Sequence, residues 1–284
     1  MITNAILSDL VAEIHATLGP AVANISVTRA VAGMYFTGVA LDNGTAGVCH
    51  TPARTEIHDA CCHTVFDPVL APGTLRGRRA TELLEHVMSS NAMHRALAIA
   101  TLNALADACW KRQPHADVVL REDVDAFDAA AIRPGERVAL VGAFIPFLRA
   151  LKAMKQDYTV LELNPAMLKP EELPRYRPTA AAVDVLPHAD VVLITGSTLV
   201  NGTADALLSL PRADARVVVV GPTVGMAPDA FLRRGVDIMG GIRVTAPDML
   251  LDVLAEGGSG QHFFGRSAQR VVLVRRPVTP AVAA

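Results

Sequence analysis

Apolar residues recur every four positions near the start of the chain, at Ile6, Leu10, Ile14 and Leu18, with Leu7 and Val11 beside them. That stripe predicts an amphipathic helix over residues 4–18. The rhythm then changes. Val27, Val31, Tyr35 and Val39, set among Thr and Gly, read as strands. Asp42-Asn43-Gly44-Thr45 between two apolar segments predicts a hairpin, because Asn-Gly accepts positive φ at little cost. A loop is expected from Pro52 to about Thr74, followed by two helical stretches. The second, AMHRALAIATLNALADACW, is alanine-rich and can pack closely against a neighbour.

From Lys111 to Pro134 the chain turns polar, which predicts a boundary around residues 115–130 and domains over 1–120 and 121–284. Beyond it, short apolar runs alternate with helical segments: RVALVGAF, YTVLELNP, ADVVLITGST, ARVVVVGPT, GVDIMGG and QRVVLVRR. Runs that are apolar on both faces are what a parallel sheet covered by helices on both sides demands. The second domain is therefore expected to be an α/β fold with an open, doubly wound parallel sheet.

Composition narrows the function classes. A chain of 284 residues, 51% hydrophobic, can bury a large core. Its formal charge of −2 gives no basic stripe for nucleic acid or an anionic membrane surface, and aromatics at 4% offer few platforms for stacked bases. The N-terminus lacks a positively charged start and is interrupted by Asp9 and Glu13, unlike a signal peptide. The expected protein is cytoplasmic, with reduced thiols, no membrane span and no nucleic-acid partner. Its apolar content suggests a homodimer.

In open α/β sheets, ligands bind beyond the carboxyl ends of the strands, where strand order reverses. After the first strand of the second domain comes Gly142-Ala143-Phe144-Ile145-Pro146, which is not G-x-G-x-x-G. Phe144 and Pro146 fill space that a pyrophosphate needs, and Pro146 has no N–H. The second strand ends on Glu162, at the offset of a carboxylate that binds ribose hydroxyls. That half-fingerprint fits S-adenosylmethionine better than NAD; helix capping or pairing with an arginine is the plain alternative. The loop TGSTLVNGT sets Thr195, Ser197, Thr198, Asn201 and Thr203 around two glycines at a strand-to-helix turn. Capping needs one such residue rather than five, so the turn is expected to donate hydrogen bonds to an anionic ligand. GPTVGMAP repeats the arrangement with Gly221, Thr223 and Gly225.

The stretch CHTPARTEIHDACCH holds three of the four cysteines. Cys49 and His50 fall on one strand and point to opposite faces, so at most one of them can face a cleft. His58, Cys61 and Cys62 meet if residues 57–63 form a helical turn, and would then favour zinc, copper or nickel. A nucleophilic thiol, Cys61 or Cys62 beside His58 or His63, is the rival reading. A third is a polar loop near the cleft with neither duty.

With both halves read, the chain resembles a heavy-metal-chelation family of bacterial and archaeal proteins. The resemblance rests on GMYFTGVALDNGTAGVCHT, GTLRGRRATELL and IATLNALA in the first half. In the second it rests on RPGERVALVGAF, TVLELNP, GSTLVNGT and VVVVGPTVGMAPDAFLRRGVDIMGG, the Asn-Gly-Thr loop being its most specific part. It implies an α+β, enolase-N-terminal-like first domain, a Rossmann-like second domain and a site in the cleft between them. The family's pocket pattern matches Thr51, Gly142, Glu162, Ser197, Asn201, Gly202, Thr203, Gly221 and Thr223. Cys61 and Cys62 align with a variable loop, and His58 and His63 are particular to this sequence.

Two main functions remain open on this reading. One is binding of a small anionic ligand or metal complex between the domains. The other is an enzyme using an adenosine-containing cofactor such as S-adenosylmethionine, with Glu162 on the ribose. A ligand sensor or assembly subunit without chemistry is the third.

Overall fold

The structure, a computed structural model, describes residues 4–52 and 70–277. Strands β1 (Val27–Ala32), β2 (Phe36–Leu41) and β3 (Ala46–His50) form a small antiparallel sheet in that order. Asn43 and Gly44 close the β2–β3 hairpin as the sequence predicts. Gly44 takes φ 78°, and Asn43 Oδ1 accepts from both the N–H and the hydroxyl of Thr45, at 3.1 and 2.7 Å.

Helix Ala92–Arg112 covers one face of this sheet. The approach is so close that a Cβ on Gly47 would lie 2.3 Å from Ala100 O and 2.4 Å from Ala104 N. Only glycine leaves room for the helix backbone there. The other face packs on helix Pro247–Ala255 from the far end of the chain: Ala40, Ala46 and Val48 share a cluster with Leu250, Leu251 and Leu254. The small sheet is thus sandwiched between a helix of its own half and one of the other, which locks the halves together.

Helix Ala5–Leu18 buries Ile6, Leu7, Leu10, Ile14 and Leu18, the predicted stripe. Full burial of each such side chain is worth about 1.5–3 kcal/mol. Among the described residues, Ala5–Asn24 is the one helical run long and apolar enough to cross a membrane, and here that apolar stripe lies in the protein core.

The second sheet has eight strands: β4 (Val118–Glu122), β5 (Val138–Val141), β6 (Tyr158–Glu162), β7 (Tyr176–Pro178), β8 (Val191–Thr195), β9 (Arg216–Val220), β10 (Ile238–Val244) and β11 (Ala268–Arg275). Their spatial order is β4-β11-β10-β9-β8-β5-β6-β7. Alternate residues feed two cores. Ala139, Val141, Leu161, Val192, Ile194 and Val219 join the core shared with the first half. Leu140, Val160, Leu193 and Val218 join Phe147, Leu148 and Leu151 of helix Ile145–Ala153 on the opposite face. Double-sided burial explains the unbroken apolar runs.

Three features depart from the pattern-based expectation. β11 runs antiparallel to β10 and to β4, so the sheet is parallel-rich rather than wholly parallel. β4 lies inside the stretch read as a polar boundary. It is an edge strand with only Val118 buried, and its charges suit an edge facing water. β7, three residues ending on Pro178, is the opposite edge, where proline is tolerated.

Candidate functional site

β5 lies between β8 and β6. The chain leaves β5 for β6 on one side and later returns to β8 on the other, so strand order reverses at β5. A cavity of about 350 Å³ opens there, beyond the carboxyl ends of β5, β6 and β8. It is the position where an α/β sheet leaves a crevice. Val141, Leu161, Val200 and Leu207 give it apolar walls, Leu163 and Met167 stand exposed at its rim, and His50 enters from β3 of the first half.

The carboxyl end of β5 is tightly specified. Gly142 has φ 96°, and a Cβ on it would come within 2.9 Å of Thr195 Cγ2. Its N–H donates to Leu161 O, while the N–H of Phe144 donates to Gly142 O. Glu162, at the end of β6, bridges the two strand ends: Oε2 accepts from Ala143 N at 2.8 Å and Oε1 from Asn164 N at 3.0 Å. Each oxygen keeps acceptor capacity after one such bond.

The hydroxyl-rich turn after β8 faces the cavity through Thr195, Ser197, Thr198, Asn201 and Thr203. It differs from the expected cluster of anion donors. Thr198 donates its hydroxyl to Thr195 O at 2.7 Å, and Thr203 donates its own to Asn201 Oδ1 at 2.7 Å. Thr195 and Ser197 hydroxyls pair at 2.7 Å, and the Ser197 N–H donates to Thr195 Oγ1 at 3.3 Å. Gly196 N–H donates to Val220 O. Helix Ser197–Asn201 is only five residues long, so little helix dipole gathers at its start. Gly202 sits at φ 77° and Asn201 Oδ1 also accepts from Thr203 N at 3.1 Å, the same turn in the same geometry as Asn43-Gly44-Thr45.

The other residues of the expected pocket are placed elsewhere. Thr223 is buried, and its Oγ1 accepts from His50 N at 2.9 Å. Its carbonyl accepts from Asn103 Nδ2, which also donates to Val48 O, both at 2.8 Å. Thr223 therefore fastens the loop after β9 to β3 and to helix Ala92–Arg112. Thr51 donates to Gly33 O at 2.9 Å and lies 3.0 Å from the Thr37 hydroxyl, holding the end of β3. Gly202 and Gly221 shape the turns without lining the cavity, Gly221 packing near the Phe144 ring. Conversely, His50 and Thr179 line the cavity unannounced. For His50 the alternation of β3 was a signal: Cys49 points into the core and His50 points away from it.

Cysteine and metal chemistry can be judged in part. Burial holds the Cys49 thiol far above its ordinary range, and Cys109 is pushed up to about 12, again by burial, so both are neutral thiols in the core. His58, Cys61 and Cys62, the metal candidates, lie outside the described residues, as does His63. Among the described residues no group of three or more His, Cys, Asp or Glu side chains is placed to hold a metal ion. Among the described residues the cavity lining offers one carboxylate and one imidazole, Glu162 and His50. That donor set does not fit a bare heavy-metal ion.

Comparisons with known proteins agree with this architecture. A family model described as "Putative heavy-metal chelation" matches residues 125–273, and a second model with the same description matches residues 15–106. An uncharacterised protein of Methanocaldococcus jannaschii is 28% identical over 192 residues, which is 66% of this chain and 68% of that protein. A crystal structure from Pyrococcus horikoshii, of a family member of unknown function, superposes with a TM-score of 0.74 at 21% identity, covering 95% of this chain and 100% of that one. Another, from Desulfitobacterium hafniense, gives 0.72 at 20% identity, covering 97% and 100%. At those identities the likeness speaks for the fold. The first family model alone spans more than half of the 284 residues, and the chain belongs to the family that it describes as one of heavy-metal chelation.

Proposed function

We propose that this protein binds a small molecule or an already ligated metal, rather than a bare ion, in the cavity at the carboxyl ends of β5, β6 and β8. The observation that carries the reading is the joint construction of that cavity. Glu162 comes from the end of β6 and Ser197 and Asn201 from the turn after β8, all of one half, and His50 from the other, at the reversal of strand order. The family description supports a metal as cargo. One carboxylate and one imidazole stand among the described lining residues, and on this reading the remaining ligands of such a metal come with it. Native mass spectrometry and elemental analysis of protein purified without an affinity tag test this. Wild type should carry an adduct that Ser197→Leu, which fills the cavity, loses. An adduct kept by both proteins, or found on neither, refutes the proposal.

A second reading has one observation in its favour. Glu162 lines the cavity at the end of β6, beside β5, with acceptor capacity left for ribose hydroxyls. An adenosine-containing cofactor such as S-adenosylmethionine meets that requirement. A dinucleotide is disfavoured, because the N–H groups of Gly142, Ala143 and Phe144 already donate within the protein. Calorimetry with S-adenosylmethionine and NAD, wild type against Glu162→Ala, decides: heat from the first alone, lost in the variant, supports the reading, and no heat from either ends it.

A further inference from the structure

We infer that the ligand of this cavity brings positive charge and hydrogen-bond donors of its own, as an ammine- or amine-bearing complex or molecule does, and that oxyanions are shut out. The inference rests on the proposal that the cavity is a ligand site, and it comes from counting the protons available at its wall. No lysine or arginine lines the cavity among the described residues. Among the described lining residues the one carboxyl group is that of Glu162.

Most backbone N–H groups at the wall are already engaged. Those of Gly142, Ala143, Phe144, Gly196 and Ser197 all donate within the protein. Of the hydroxyls after β8, Thr198 and Thr203 have given their protons to Thr195 O and Asn201 Oδ1, and can only accept from a ligand. One proton of the Thr195–Ser197 pair is consumed in their mutual bond. The donors left on that turn are one hydroxyl, the amide of Asn201 and the backbone N–H of Thr198, against the lone pairs of four hydroxyl oxygens and a carboxylate. An oxyanion would meet repulsion from Glu162 and more acceptors than donors. A cation rich in N–H meets the complementary surface, and charge-assisted bonds are the strong ones.

Two cobalt(III) complexes of similar size and opposite polarity provide the test. Hexaamminecobalt(III) is a trication that presents only N–H donors; hexacyanidocobaltate(III) is a trianion that presents only acceptors. Both exchange ligands too slowly for cysteine or histidine anywhere in the chain to capture the metal. Amide resonances of the full chain are followed by NMR at physiological ionic strength. The ammine complex should shift the amides of Ala143, Asn164, Ser197 and Thr203 saturably, and the cyanide complex should bind them roughly tenfold more weakly or not at all. Ser197→Ala and Glu162→Gln should each weaken ammine binding by roughly tenfold. Ser197→Ala keeps the test alive if Glu162→Gln loosens the strand ends that Glu162 bridges.

Equal or tighter binding of the cyanide complex at those amides overturns the inference and leaves the cavity as a ligand site. Shifts confined to acidic surface positions, or no shift from either complex, also overturn it. The proposed function then stands or falls separately, on whether the purified protein carries its adduct.

Discussion

Glu13 gives the sharpest prediction about stability. It lies on helix Ala5–Leu18, where its Oε2 accepts from Ala230 N at 3.4 Å, beside Asp229 and the His115–Asp229 pair at 2.8 Å. Burial pushes its carboxyl up to about 7; bonds from the Asp229 and Ala230 backbone offset part of that, and the Asp229 charge adds to it. At about 1.4 kcal/mol per tenfold change in proton affinity, a rise from 4.5 to about 7 sets a ceiling of about 3.5 kcal/mol. Glu13 is partly exposed, so solvent screening reduces this to about 1–2 kcal/mol. The folded state holds the proton more tightly than the unfolded one, so stability is greatest below 4.5 and declines as pH rises to 7. Glu13→Gln keeps an acceptor oxygen for Ala230 and removes the titration. Urea denaturation of both proteins across that range should give nearly equal stability at the acid end. Above 7 the variant should be about 1–2 kcal/mol more stable. A stability difference that stays constant from pH 4.5 to 7 would refute the assignment of the shifted group.

Other consequences follow from particular contacts. Asn103→Ala removes both bonds that tie helix Ala92–Arg112 to β3 and to Thr223; denaturant titration should show a loss of about 2–4 kcal/mol, and a change under about 0.5 would disprove the latch. Cys49 and Cys109, as buried neutral thiols, should resist iodoacetamide in the native protein and react once it is unfolded. Peptide mapping that finds native Cys49 modified would contradict its burial. Asn201→Asp keeps an oxygen for Thr203 and replaces the amide donors by acceptor and charge. It should tighten hexaamminecobalt(III) binding by roughly tenfold, whereas the equivalent Asn43→Asp in the β2–β3 hairpin should leave binding unchanged. Weaker binding by Asn201→Asp would count against the polarity assigned to the cavity.

Much of the architecture was legible because burial imposes periodicity. The stripe from Ile6 to Leu18, the β2–β3 hairpin and six of the eight strands of the large sheet each carry a pattern that packing requires. The edges were not legible. β4 and β7 bury little, so nothing forces their residues to be apolar, and β4 reads as a polar boundary. The direction of β11 was hidden for another reason: a buried run looks the same whichever way it is threaded. At the site, the alternation of β3 required Cys49 and His50 to part company. Only the docking of helix Ala92–Arg112 on the small sheet decided which of them met the core. Thr223 looked like a ligand contact because a hydroxyl near a glycine turn suits either duty; the closeness of β3 made it a fastener instead.

The two Asn-Gly-Thr tripeptides separate what a motif does from where it is delivered. At 43–45 and at 201–203 the asparagine oxygen takes the same two bonds, and the glycine adopts the same left-handed conformation. The turn is therefore a local property of three residues and predicts no ligand by itself. Its first copy closes a hairpin whose tip faces solvent; its second is carried by β8 to the point where strand order reverses. There, the bonds that make the turn also use up most of the donors that would have greeted an anion, and leave hydroxyl lone pairs, one amide and the Thr198 N–H at the wall. On the proposed reading of the cavity as a ligand site, the most recognisable segment of the sequence acts indirectly, by settling which protons the cavity can offer.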